Sequence, residues 1–293
     1  MKTLSLDDYK RIKLDAVERL EYQVIISSEL KYVLDESWFS RVRAVINSWD
    51  DRDDRLKIDD GAYNLFSILL NEFHSEILDK RLARIETLAR KQNRLRPYRK
   101  TRGELASAQT NQILGSIFEI NILSAAIQSC SSIELFPTTG NGGSDVDAKL
   151  IVDDRAIYIE AKALTYSKHD VAAPYSGYVG LHSVNSMLKQ VYDALNEKLM
   201  KGRQLHMLSD EFPTVLFLSL GYNADIHSCS WAIESYYQEQ HSNVSSVLVF
   251  GSALCRDSMK AFPNNYSLLP LSKKEAILFQ TSFHKNLVND NVT

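Results

Sequence analysis

Residues 144 to 162 read SDVDAKLIVDDRAIYIEAK, and four of their side chains have the types and spacing for chemistry on a phosphate. Asp145 and Asp147 are two residues apart, as are Glu160 and Lys162. Side chains alternate across a strand, so each pair shares one face if its segment is extended. The polar stretch Asp153-Asp154-Arg155 between them has the composition of a turn. A hairpin closed there gathers carboxylates and an ammonium on one patch. Oxygen ligands of that kind suit a hard cation such as Mg²⁺ or Mn²⁺. The ligand set expected is Asp145, Asp147 and Glu160, with the Ala161 carbonyl as a further donor. A cation there polarises a phosphoryl group and acidifies a bound water, and Lys162 stabilises the charge that develops. Lys149 continues the face of the two aspartates and is a partner for either of them.

Glu119 is the next candidate. It lies in GSIFEINILSAAI, where its neighbours at helical spacing are Gly115, Ile122, Leu123 and Ala126. A carboxylate on such a face is partly buried and needs a metal, a cation or a proton. Upstream, residues 80 to 102 carry ten lysines and arginines against the single acid Glu86. This is the strongest charge anomaly in the chain, although the formal net charge is −3. Phosphate contacts depend on local charge within about a Debye length rather than on the sum. Arg90, Lys91, Arg94, Arg96, Arg99, Lys100 and Arg102 are therefore the expected nucleic-acid contacts.

Behind these residues stand the elements that must position them. Residues 1–100 are patterned as helices, with apolar sets such as Phe39, Val42, Ile46 and Tyr63, Phe66, Leu70. Pro97 is expected to end the basic helix. A helix is predicted over 104–129 and strands over 145–152 and 156–162. A long helix over 181–201 follows, then a buried strand over 214–220, a helix over 230–240 and a strand over 247–250. The order predicts an α/β fold with a mixed central sheet, in two domains: 1–100, a helical accessory domain, and 101–293.

Composition narrows the class. Apolar residues make up 44% and charged residues 24%, which suits a globular fold with a sizeable core. Cys130, Cys229 and Cys255 are far apart and form no C-x-x-C pair, so a disulfide framework or zinc cluster is not expected. MKTLSLDDYKRIK holds no apolar signal core, and no apolar run has the roughly 20 residues a membrane helix requires. A cytoplasmic protein with reduced thiols and no membrane partner is expected.

Glu119 on a leading helix, Asp147 (or Asp145) on the next strand, and Glu160-Ala161-Lys162 together resemble the PD-(D/E)xK nuclease superfamily. The segment from Glu197-Lys198 through Gln204, with an apolar strand after Pro213, resembles that family's later helix carrying a Gln. The resemblance spans about residues 104–220. It implies a restriction-endonuclease-like α/β/α core, divalent-metal-dependent cleavage of nucleic acid, DNA foremost, and a place in restriction or phage defence. Carried over, Asp147 (or Asp145) and Glu160 hold metal, Lys162 orients the attacking water, Glu119 supports the metal shell, and Gln204 or Gln190 assists. Context rather than spacing selects these residues, since Asp15 with Glu29-Leu30-Lys31 repeats the spacing in a helix-patterned region with no hairpin turn. The alternative is a non-catalytic nucleic-acid-binding or assembly protein on a degenerate nuclease core. A homodimer, or a partner protein held by the helical region, is compatible with either.

Overall fold

The computed structural model describes residues 5–49, 60–71, 75–107, 109–138, 146–164, 184–200, 204–220, 226, 229–240, 242–251 and 259–289. The N-terminal part is helical, as its periodicity predicts: α1 Leu6–Ile25, α2 Glu36–Asn47, α3 Gly61–Asn71, α4 Ser75–Lys91 and α5 Leu95–Glu104. Ser5 and Asp8 close a reciprocal cap on α1, and Asp35 accepts from the Trp38 N–H at the start of α2.

The basic run divides where Asn93, not Pro97, ends α4. Asn93 takes a left-handed φ of 57°, and the Arg94 N–H returns to the Ala89 carbonyl at 2.7 Å. Asparagine tolerates that conformation, so the helix stops there. Pro97 sits inside the first turn of α5, where an N–H has no intrahelical acceptor anyway.

Beyond the helices, α6 (Thr110–Ser129) leads into a six-stranded mixed open sheet. Its strands are β1 Ser132–Leu135, β2 Ala148–Val152, β3 Arg155–Ala163, β4 Thr214–Ser219, β5 Ser246–Phe250 and β6 Met259–Pro263, and they lie side by side in that order. The pairs β1–β2, β2–β3 and β5–β6 are antiparallel, while β3–β4 and β4–β5 are parallel. The predicted hairpin is β2–β3, with Val152 opposite Arg155, so Arg155 belongs to the strand and not to the turn. The turn itself is Asp153-Asp154, both left-handed at φ 49° and 64°, the geometry that matches strand twist.

The parallel connections are made by α7 (Val184–Leu199) with α8 (Gln204–Ser209), and by α9 (Cys229–Gln240). The chain closes with α10 (Lys273–Ile277), a π-helical stretch Leu278–Phe283, and α11 (His284–Asn289). Strands β1 and β6 escaped the sequence reading because each is a short edge strand with mixed polarity, the usual form of a protected edge. The central β4 and β5 are buried along their whole length, as parallel strands covered on both faces must be.

Alternation in the strands separates two cores. Ile157, Ile159, Val215, Phe217, Leu248 and Phe250 face α6 and the helical part. Leu216, Leu218, Val247 and Val249 face Val191, Leu195, Leu199, Ile233 and Tyr236 of α7 and α9. The first core runs from Val17 of α1 to Leu287 of α11. Polar ties run through it too. Arg81 of α4, 1% exposed, donates to Asn121 of α6 and to the Leu287 carbonyl at 2.9 Å. Among the described residues no helix is long and apolar enough to cross a membrane.

Candidate active site

The site lies where two neighbouring strands part company. Strand β2 pairs with β3 only as far as Ala148 opposite Ile159, whereas β3 stays paired with β4 through Ala163. In β3 the N–H groups of Tyr158 and Leu164 point to β4, bonding Pro213 and Ser219 carbonyls. The odd-numbered N–H groups therefore point the other way, and that of Ala161 has lost its strand partner. A buried N–H without an acceptor is costly. Asp147 supplies the acceptor: its Oδ2 lies 2.6 Å from the Ala161 nitrogen. This bond holds the Asp147 carboxylate at the open edge of β3, within electrostatic reach of Glu119 and Glu160.

Two further elements complete the cluster. α6 brings Glu119, whose Oε1 accepts from the Thr101 hydroxyl of α5 at 2.8 Å. α7 brings Glu197 and Lys198. The Lys198 ammonium bonds Glu160, with the two side chains 24% and 14% exposed. The Lys162 ammonium turns instead to Glu197, at 2.7 Å. Strand and helix are thus cross-linked by two ion pairs.

Crowding of like charge shows in the titration of these groups. Burial, then the nearby carboxylates of Glu119 and Glu160, holds Asp147 well above the usual carboxylate range, although the Ala161 N–H and Lys198 pull it down. Burial pushes Glu119 up to about 7, opposed by the Thr101 hydroxyl and by the charges of Lys198 and Lys100. Lys198 is raised: burial works against its charge, but Glu160, Asp147 and Glu197 outweigh it.

A pH dependence follows for the metal-free protein. The Glu119 value in the fold lies above its ordinary 4.5, so the protonated form favours folding. That contribution is complete below pH 4.5 and is lost as pH rises through 7, at most about 3 kcal/mol. Asp147 acts with the same sign. Glu119→Gln is expected to flatten the fall in melting temperature between pH 5 and pH 8, measured in EDTA.

Of the residues singled out from the sequence, Glu119, Asp147, Glu160, Ala161 and Lys162 come from three separate segments, α6, the residue before β2, and β3, to this one place. Asp145 lies outside the described residues. Gln204 opens α8, and Gln190 lies on α7 about two turns before Lys198. Among the described residues Lys149 makes no ion pair with Asp147; its ammonium lies 5.9 Å from the centre of the Tyr158 ring. Lys198 and Thr101 carried no assignment. A signal for Lys198 was present: it stands three residues after Leu195 and seven after Val191, on the apolar stripe of its helix, where a lysine needs a partner.

The donors at this place are all oxygens, and they repel one another, which is the chemistry a hard divalent cation relieves. Glu160, however, is already engaged by Lys198. Among the described residues no three His, Cys, Asp or Glu side chains form a group able to hold a metal ion.

The basic run sorts into two populations. Lys91, Arg96, Arg99 and Lys100 are exposed, and Lys100 is near enough to act on Glu119. Arg90 pairs with Glu86 at 2.6 Å and Arg94 with Glu134 at 3.4 Å. Arg102, expected among the phosphate contacts, is turned inward. It is 16% exposed, bonds Glu29 at 2.7 Å, reaches Glu86 at 3.6 Å and stacks against Tyr98 and Tyr32. Its charge is spent inside the helical part. Glu29, which heads the second copy of the acidic spacing, is likewise taken up there, bonding Arg102 and the Tyr98 hydroxyl.

A cavity of about 390 Å³ lies elsewhere, between β5, β6 and α10. Three of its polar lining residues bond the backbone: Ser245 the Leu269 carbonyl, Ser246 the Phe262 carbonyl, and Asn264 two carbonyls. Comparison with protein-family models, curated proteins and solved structures returns no match for this chain.

Proposed function

We propose that this protein is a divalent-metal-dependent nuclease of the PD-(D/E)xK kind, acting on DNA in the first instance, with Mg²⁺ or Mn²⁺ as cofactor. The observation that carries the reading is the bond from the Ala161 N–H to Asp147, which holds Asp147 against the backbone next to Glu160 where β2 leaves β3. The succession α6-β1-β2-β3-α7-β4, antiparallel through β3 and parallel from β3 to β4, supports it, because it follows the restriction-endonuclease-like order that the resemblance implies.

Asp147, Glu160 and the Ala161 carbonyl would hold the metal, with Glu119 behind them. The metal, when bound, polarises the scissile phosphate and acidifies a water. Lys162, anchored by Glu197, places a positive charge at the rim of the site and steadies the charge developing on the phosphoryl oxygens. Thr101 fixes the Glu119 carboxylate through its hydroxyl. The exposed Arg96, Arg99 and Lys100 lie on α5, the helix whose Thr101 bonds Glu119, and hold the substrate backbone by counterion release.

The direct test is incubation with plasmid, linear DNA and RNA in Mg²⁺, Mn²⁺ or EDTA. Cleavage that requires the metal supports the reading. Salt-sensitive binding without cleavage in any metal favours the degenerate-core alternative. Neutralising Arg96, Arg99 and Lys100 together is expected to lower the slope of log K against log salt by roughly 2 to 3 while leaving the melting temperature unchanged.

A further inference from the structure

We infer that Lys198 is the internal counter-cation of the carboxylate cluster, and that a divalent cation binds by displacing its ammonium from Glu160. The inference rests on the metal reading above and assigns a role to a residue outside the expected set.

The geometry separates the two lysines. Lys162 belongs to the acidic motif but turns outward to Glu197, whose side chain is 50% exposed. Lys198 comes from another element and turns inward. It bonds Glu160, and the next residue, Ala161, donates its N–H to Asp147, so the ammonium sits on the carboxylate adjoining the Asp147 anchor. Its backbone is pinned, since Leu195 and Leu199 on either side are buried against the sheet. Only the flexible stem of Lys198 is free to swing the ammonium away.

The physical need is equally specific. Carboxylates that repel one another where β2 leaves β3 require positive charge or protons. Lys198 provides one unit of charge from inside the chain. A divalent cation provides two and takes the same oxygens, so both cannot occupy Glu160 at full strength. Lys198 therefore keeps the site assembled before metal arrives and sets the concentration at which metal enters.

The test is calorimetric Mn²⁺ titration of the wild type, Lys198→Met, Lys198→Arg, Lys162→Met and Glu160→Gln, with melting of each in EDTA. Lys198→Met is expected to bind Mn²⁺ about tenfold more tightly than the wild type and to melt lower in EDTA, because a competing charge is gone. Lys198→Arg, which keeps the charge, and Lys162→Met are expected to stay within about twofold of wild type. Equal or weaker Mn²⁺ binding by Lys198→Met, with binding intact in the wild type and lost in Glu160→Gln, overturns this inference alone. No Mn²⁺ binding by either the wild type or Lys198→Met overturns the metal reading together with it. A second measurement needs no variant. Reductive methylation of the wild type, read by peptide mass spectrometry, should label Lys198 slowly in EDTA and at least about fivefold faster in saturating Mn²⁺. Equal labelling in both overturns the inference.

Discussion

Glu160→Gln should remove metal-dependent cleavage, by at least about 10²- to 10³-fold in turnover, the scale at which loss of one preorganised electrostatic contact is felt. Glutamine keeps the volume and one acceptor oxygen at a position 14% exposed, so the strand ladder on either side is undisturbed. What it removes is the negative charge. Glu160 precedes Ala161 in β3 and its charge acts on the Asp147 carboxylate; these are the three donors assigned to the metal. Removing its charge also relieves repulsion on Asp147. The variant should therefore fold while failing to cleave, and its melting temperature in EDTA should stay close to that of the wild type. Lys162→Ala should likewise abolish cleavage, with little effect on folding, since its pair with Glu197 lies near the surface. Plasmid nicking followed on gels, beside circular dichroism melts, checks both. Full Mg²⁺-dependent activity in the two variants would sink the assignment.

The largest effect on stability is expected at Arg81→Ala. Arg81 sits within the basic run, yet it is 1% exposed and ties three distant segments. Its guanidinium donates to Asn121 on α6 and to the carbonyl of Leu287, 206 residues along the chain. Truncation removes hydrogen bonds from a charged donor to two buried acceptors and empties the volume of one of the largest fully buried side chains. Each such bond contributes about 1.5–3 kcal/mol, so a loss of about 3–5 kcal/mol is expected. In a chain of this size that lowers the melting temperature by roughly 6–15 °C. The transition should stay single, because helices and sheet share one core. Two resolved transitions would instead show that residues 1–100 unfold as an independent unit.

These two residues illustrate what the chain reveals in one dimension. Glu160 was legible because its neighbours are local: alternation puts Glu160 and Lys162 on one face, and Asp153-Asp154 announces the turn that pairs β3 with β2. Arg81 was not, since composition reports charge without burial. The same holds for Arg102, which its sequence neighbours place among phosphate contacts and its tertiary neighbours Glu29 and Glu86 draw inward. Edge strands β1 and β6 were missed for a related reason, as four or five residues of mixed polarity carry too little periodicity to stand out.

By itself the sequence determined the helices and the central strands, the hairpin that carries the acids, and the face on which Glu160 and Lys162 lie. These depend on backbone periodicity and turn conformation, which act over a few residues. Only the tertiary structure decided that Lys198 rather than Lys162 meets the carboxylates, that Thr101 holds Glu119, and which arginines remain on the surface. Those pairings join residues 18 to 73 positions apart, and they arise where packing brings one helix stripe against one strand end. Periodicity names the stripe; burial of the apolar residues around it chooses the partner.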